Sequence, residues 1–287
     1  MAGPACSQSE DLSDEPSGPE ATAGPRSGPE GGSWARVNWS APAAPSAAGA
    51  ITAHARRGVW LIDVHTPYAD VAPEVDHRIQ AALAEGARGV VCALPASLAD
   101  TPGPVLDLLA TAGRHMRAWP AVPVVLACPD SGTAALLDCR LHGRLLQHAS
   151  SLLQGWAQIM DTPPPQTAHL RLSPSTLAPY GARRFLTRVC RDWGMNHHLD
   201  SGELVITELV TNALIHTTSD IEVLLAGDQD RLRIGVRDRD PAPPGSPPVD
   251  SDSLTGRGLL LVDALSESSG AMPTNDGGKL VWAVLGG

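Results

Sequence analysis

The sequence predicts an α/β (α+β) chain of two domains preceded by a disordered tail, and three observations carry that reading. Residues 1–56 are dominated by Gly, Pro, Ser, Ala and Glu, with neither a helical nor a strand period. From Gly58 onward, short apolar runs alternate with helix-spaced segments, the pattern of an α/β layer. After a polar, proline-stiffened break at Asp161-Thr162-Pro163-Pro164-Pro165-Gln166, the order changes to two helices followed by two strands.

The tail cannot bury enough apolar area to offset its ordering entropy. In the first domain, expected over 57–160, Val59 to Val64 reads as a strand stopped by His65-Thr66-Pro67. Glu74 to Glu85 has helical spacing of Val75, Ile79, Ala82 and Leu83, closed by Gly86. Gly89 to Leu94 is a nearly all-apolar strand of the kind covered on both faces. A helix over Pro104 to Met116, a strand over Val122 to Ala127 and a helix opening near Ser131 complete this part.

A linker is expected over 161–169 and the second domain over 170–287. Its first helix runs from Pro179 to Trp193 and stops at Gly194. The second spans Ser201 to His216, with Asp200 and Glu203 spaced as a capping box and Leu204, Val205, Leu209 and Ala213 facing the core. Strands at Asp220–Ala226 and Arg231–Asp238 are joined by a hairpin loop over 227–230. Asp240 to Thr255 is a long aperiodic loop, and loops of that length inside a compact domain commonly carry function. A helix from Leu259, a turn at Asn275-Asp276-Gly277-Gly278 and a strand over Lys279 to Leu285 close the chain.

Bulk properties exclude several classes. The 287 residues carry a formal charge of −10, which argues against direct nucleic-acid binding through a basic surface. No apolar stretch approaches a membrane span, and the start lacks a basic-then-apolar leader, so a cytoplasmic protein without a membrane partner is expected. The five cysteines form no C-x-x-C pair, and Cys92 and Cys128 sit in apolar runs as buried hydrophobes do.

Glu208, Asn212 and His216 are spaced by four and share a helix face. Spacing alone suits a solvated polar face. It also suits a metal-phosphate site, where Asn offers a neutral oxygen to Mg²⁺ and Glu positions or deprotonates a nucleophile. Asp238 ends a strand, where it is a turn former or an acceptor for an exocyclic amine such as adenine N6. Gly256-Arg257-Gly258-Leu259 leads into a helix, so its backbone can approach a phosphate beside free N–H groups. His197 and His198 read as surface residues in a loop.

In this order, E-L-V-T-N-A-L-I-H, D-R-D-P-A-P, G-R-G-L-L-L-V and K-L-V-W-A-V-L resemble the GHKL (Bergerat-type) ATPase superfamily over roughly 170–285, and within it the anti-sigma-factor serine/threonine kinases. The resemblance implies an α/β sandwich with helices on a mostly antiparallel sheet, binding ATP and Mg²⁺. Glu208 would be the catalytic base, Asn212 the Mg²⁺ ligand and Asp238 the adenine reader. Gly256, Arg257, Gly258 and Leu259 would line the triphosphate, and 240–255 would form a lid. The superfamily's D-x-G-x-G box departs here to Asp238-Arg239-Asp240-Pro241-Ala242-Pro243, which lacks the glycines. The chain has no evident pair of helices with a phosphoacceptor histidine ahead of this domain.

The first domain resembles the STAS fold of anti-sigma-factor antagonists in its element order and in the L-D-C-R-L-H-G run near Leu137. That family's D-S-S-G phosphoacceptor turn corresponds to Asp100-Thr101-Pro102-Gly103, where Pro102 has no hydroxyl. Ser131 follows an Asp in a different turn. The resemblance therefore implies an ATP-dependent protein serine/threonine kinase that phosphorylates a separate STAS antagonist, fused to a degenerate docking module. A sigma factor and a second copy of the chain are the further partners it implies. The alternative is a nucleotide-gated, non-catalytic partner-binding regulator.

Overall fold

The computed structural model describes residues 49–65, 68–94, 119, 122–130, 146–228, 230–242, 244 and 257–286, with backbone alone at 68–72, 146 and 257. The expectations for the tail up to residue 48, the helices near 104–116 and Ser131, the Asp100–Gly103 turn and the Leu137 run lie outside these residues. So do Gly256 and most of the loop expected as a lid.

The first sheet has the order β1-β2-β3-β4-β5, built from β1 (Ile51–Arg56), β2 (Val59–Val64), β3 (Gly89–Ala93), β4 (Val124–Ala127) and β5 (Leu146–Ala149). β1 and β2 form an antiparallel hairpin, and the remaining pairs are parallel. The strand period of two divides the central apolar runs between two cores. Ile62, Val90, Cys92, Val124 and Leu126 pack with Val75, Ile79 and Leu83 of α1 (Tyr68–Ala84). Val59, Val91, Val125 and Ala127 face Ile159 of α2 (Leu152–Asp161). Ser151 caps α2, its side chain accepting from Gln154 N. α1 starts six residues before the expected Glu74 because Pro73 is tolerated inside it, where it removes one helix hydrogen bond. β1 occupies residues expected to belong to the tail.

The second sheet is antiparallel throughout, with the order β6-β7-β8-β10-β9. Its strands are β6 (Gln166–Leu172), β7 (Ile221–Asp228), β8 (Arg231–Asp238), β9 (Ser268–Pro273) and β10 (Lys279–Leu285). β6 begins inside the segment expected as linker and pairs along the whole of its length with β7. The β7–β8 connection is tighter than the four-residue loop expected, because Gly227 and Asp228 stay in register with Leu232 and Arg231.

Three helices cover one face of this sheet: α3 (Ala178–Trp193), α4 (Leu199–His216) and α5 (Arg257–Leu265). α3 ends as expected at Gly194, whose φ of 75° supplies the left-handed C-cap. α4 begins differently from the expected capping box. A 3₁₀ turn over Asn196–His198 runs straight into Leu199, so Asp200 lies within the helix and His198 makes no side-chain cap. Glu203 instead accepts from Thr187 Oγ1 at 2.9 Å. Val205, Leu209 and Ala213 are buried as expected, with Ile206 and Val210 beside them, but Leu204 is 50% exposed. Its neighbours at 205 and 206 define the core stripe, and 204 falls outside it. His198 corrects another expectation: it is buried, and its Nε2–H donates to the Asp230 carbonyl at 2.8 Å. Burial holds its pKa below the ordinary histidine value.

The opposite face of the second sheet is also covered. Leu224, Met272, Leu280, Trp282 and Val284 belong to the same apolar cluster as α1 and Trp119, so the two sheets share a core within one compact unit. Trp119 stacks on Trp282 with ring centroids 6.4 Å apart. Gly235 on β8 makes room for this, since a Cβ there would lie 2.6 Å from Trp119 Cη2. Arg237 closes the rim, pairing with Glu85 at the end of α1 at 3.2 Å and with Asp276 at 3.1 Å. No described helix is long and apolar enough to cross a membrane.

Candidate nucleotide site

The site is built on α4. Its apolar stripe binds it to the sheet, which turns Glu208, Asn212 and His216 onto a shared, half-open face. At one end of that face, Gly258 in the first turn of α5 lies directly against the Glu208 carboxylate. A Cβ at 258 would collide with Glu208 Oε2. The glycine expected to admit a phosphate is thus also the residue that lets the helix start close on the acid. Leu259 buries its side chain in the core under α5, so only its backbone can meet a ligand.

At the other end, His216 Nδ1 is 4.0 Å from Asp240 Oδ2, which joins the end of α4 to the exit of β8. Asn212 lies between the two ends, one helical turn (~5.4 Å) from each. Its Nδ2 is buried without a protein partner.

Asp238, at the end of β8, is 1% exposed. Its Oδ1 accepts from Lys279 Nζ at 3.0 Å and from Asp240 N at 2.8 Å, while its Oδ2 is buried and unpartnered. Burial pushes the Asp238 carboxyl above its ordinary value, and the Lys279 ammonium partly reverses this. Asp240 behaves oppositely. Burial raises its carboxyl, but hydrogen bonds from Lys279 and Ala242 and the nearby positive charges outweigh burial and hold it below the usual range. Asp238 Oδ1 accepts from Asp240 N, and Asp240 Oδ1 in turn accepts from Ala242 N at 3.3 Å. These successive Asx turns shape the backbone where the D-x-G-x-G pattern would place glycines.

Sequence reasoning missed Lys279. It is fully buried, and its three donors go to Asp238 Oδ1, to Asp240 Oδ2 at 2.9 Å and to the Asp240 carbonyl at 3.2 Å. Its signal in the sequence is that it is the chain's sole lysine, placed at the first position of a strand otherwise apolar to its end.

The residues present fit a nucleotide with Mg²⁺. The orphaned Asp238 Oδ2 is an acceptor for an exocyclic amine, the Asn212 amide supplies a hard oxygen, and the Glu208 carboxylate sits beside a helix N-terminus. A polar hollow of about 190 Å³ beside Asp238 is less suited to an anion, because its arginines are already paired: Arg171 with Asp220, and Arg237 and Arg239 with Asp276.

Helices thus cover one face of an antiparallel sheet, with an acid and an amide on the central helix and an aspartate at a strand exit. Residues 170–285 match the family model described as a histidine kinase-like ATPase domain, which supports an ATP-binding, kinase-like function for this stretch. A search of curated proteins found no match.

Proposed function

We propose that the chain is a cytoplasmic ATP-dependent protein serine/threonine kinase of the anti-sigma regulatory type, acting on a serine of a separate STAS antagonist. The observation that carries the proposal is the arrangement along α4: Glu208 against Gly258, Asn212 one turn on, and the unpartnered Asp238 Oδ2 beyond. The match over 170–285 supports the nucleotide part of this reading.

Asp238 Oδ2 accepts from the exocyclic amine of the base. The Asn212 side-chain oxygen would hold Mg²⁺, which when bound would supply charge neutralisation at the phosphates. Glu208 takes the proton of the attacking serine hydroxyl as the serine oxygen bonds to the γ-phosphorus. The bond from that phosphorus to the bridging oxygen breaks, and ADP leaves. The α5 N-terminus stabilises the charge on the transferring oxygens. The first domain, with helices on both faces of largely parallel strands, acts as a STAS-like docking module, since Pro102 cannot accept a phosphoryl group. A sigma factor and a second copy of the chain complete the set of partners, without nucleic acid or membrane.

Incubation with labelled ATP, Mg²⁺ and candidate antagonists tests the proposal. Transfer that is lost in Glu208→Ala supports it, and absent transfer, or equal transfer by that variant, overturns it. A Mg-ATP affinity for wild type and Asn212→Ala separates a working nucleotide site from a relic.

One observation favours the second reading, a nucleotide-gated regulator without catalysis. Lys279 ties the base-reading Asp238 to Asp240, at the root of the expected lid, so occupancy at one reaches the other. On that reading, ATP-dependent partner binding survives Glu208→Ala and fails in Asn212→Ala.

A further inference from the structure

We propose that the seam between the two sheets holds a binding site for a small apolar carboxylate. A cavity of about 150 Å³ lies there, with Leu83, Ala87, Val122, Leu224 and Pro164 among its apolar walls. Arg88 and Trp119 also line it, and each brings a buried donor that has no acceptor. Arg88 Nη2 is committed to the carbonyls of Met160 at 2.9 Å and Thr162 at 3.1 Å, at the end of α2. Its Nε is unpartnered. The Trp119 indole is 1% exposed, and its Nε1–H is unpartnered as well.

Buried donors are nearly always paired, so two orphan donors on residues that line one cavity leave room for an acceptor from outside the chain. Among the described residues the lining carries Arg88 and His169 and no acidic side chain, which favours an anion although the whole chain is negative. A carboxylate offers two acceptor oxygens and gains charge-assisted strength from the guanidinium. The remaining walls suit an apolar body, and an apolar space of roughly this size accommodates a ring such as benzene. The site is independent of the nucleotide reading. It lies on the sheet face opposite α4, against Leu224 to Ala226 of β7, the strand next to the one that ends in Asp238.

Titration calorimetry and ligand-observed NMR on the full chain, with benzoate and isovalerate as probes and benzyl alcohol as the neutral control, test the site. Saturable carboxylate binding is expected, roughly tenfold or more tighter than that of the alcohol. Trp119→Phe keeps the ring but removes the donor, and should weaken benzoate while leaving benzyl alcohol unchanged. Thr167→Trp fills the mouth from an exposed edge-strand position and should abolish binding with the melting curve unaltered. Absence of saturable binding by either carboxylate, equal binding of the alcohol, or carboxylate binding that survives Thr167→Trp overturns the proposal.

Discussion

Lys279 and Asp238 are paired at 3.0 Å with both side chains fully withdrawn from solvent, across adjacent strands of the second sheet. The pair sits where the base-reading carboxylate is expected, and it extends through Asp240 to the end of α4. One ammonium therefore ties a strand exit to the root of the loop, and His216 at the helix end lies 4.0 Å from the same Asp240 carboxylate.

Breaking that pair should be costly, because a buried carboxylate left without its cation is poorly solvated. Lys279→Met is expected to lose about 3–5 kcal/mol of stability, measured by urea denaturation, and Lys279→Met with Asp238→Leu should recover part of it. Since Lys279 is the sole lysine, an acylating reagent should modify only the α-amine of the native chain. A second adduct should appear in the mass spectrum only on unfolding.

Gly258→Ala should displace the Glu208 carboxylate, since the added methyl occupies its place. On the proposed kinase reading, the expected result is phosphoryl transfer slower by roughly tenfold to a hundredfold, with Mg-ATP affinity changed far less. Single-turnover transfer rates beside equilibrium nucleotide binding check this. Unchanged transfer would show that the contact does not position the acid.

The seam should behave as a core rather than as a tether between independent domains. Trp119→Ala is expected to cost about 3–5 kcal/mol, read from chemical denaturation. Removal of residues 1–165 bares Leu224, Leu280, Trp282 and Val284, so the fragment should aggregate on size-exclusion chromatography. A soluble, monomeric fragment with the melting temperature of the full chain would contradict a shared core.

Asp76 on α1 gives a pH signature. Burial, the larger effect, raises its carboxyl from 3.8 to about 6 against the 2.5 Å hydrogen bond donated by Gln80. A carboxyl with a raised folded-state pKa contributes stability below the unfolded value, and that contribution is lost as pH rises through the folded one. The loss falls between 3.8 and about 6. Asp76→Asn should therefore raise the melting temperature at neutral pH, and the gain should vanish near the lower bound of that window.

Legibility in the sequence followed position within the sheets. The interior strands β2, β3, β4, β7, β8 and β10 were all expected, because a strand with neighbours on both sides buries its apolar residues as runs or clean alternation. The strands that went unread, β1, β5, β6 and β9, are the four sheet edges. Thr167, His169 and Arg171 of β6 and the small residues of β9 carry little hydrophobic signal, because an edge is specified by the partner that pairs with it. The capping box at Asp200 failed for a related reason. The 3₁₀ turn tethered by His198 to Asp230 set the start of α4 over the local preference.

The sequence by itself determined the helix that carries Glu208 and Asn212, the strand that delivers Asp238 and the glycine at 258, because period, strand exit and glycine position are local properties. Only the tertiary structure decided that Gly258 closes on Glu208, that Lys279 neutralises Asp238 and Asp240, and that Trp119 seals the far face of the sheet. Each of these depends on contacts between residues distant in the chain, where burial removes water and leaves every charge and donor to find its partner within the fold.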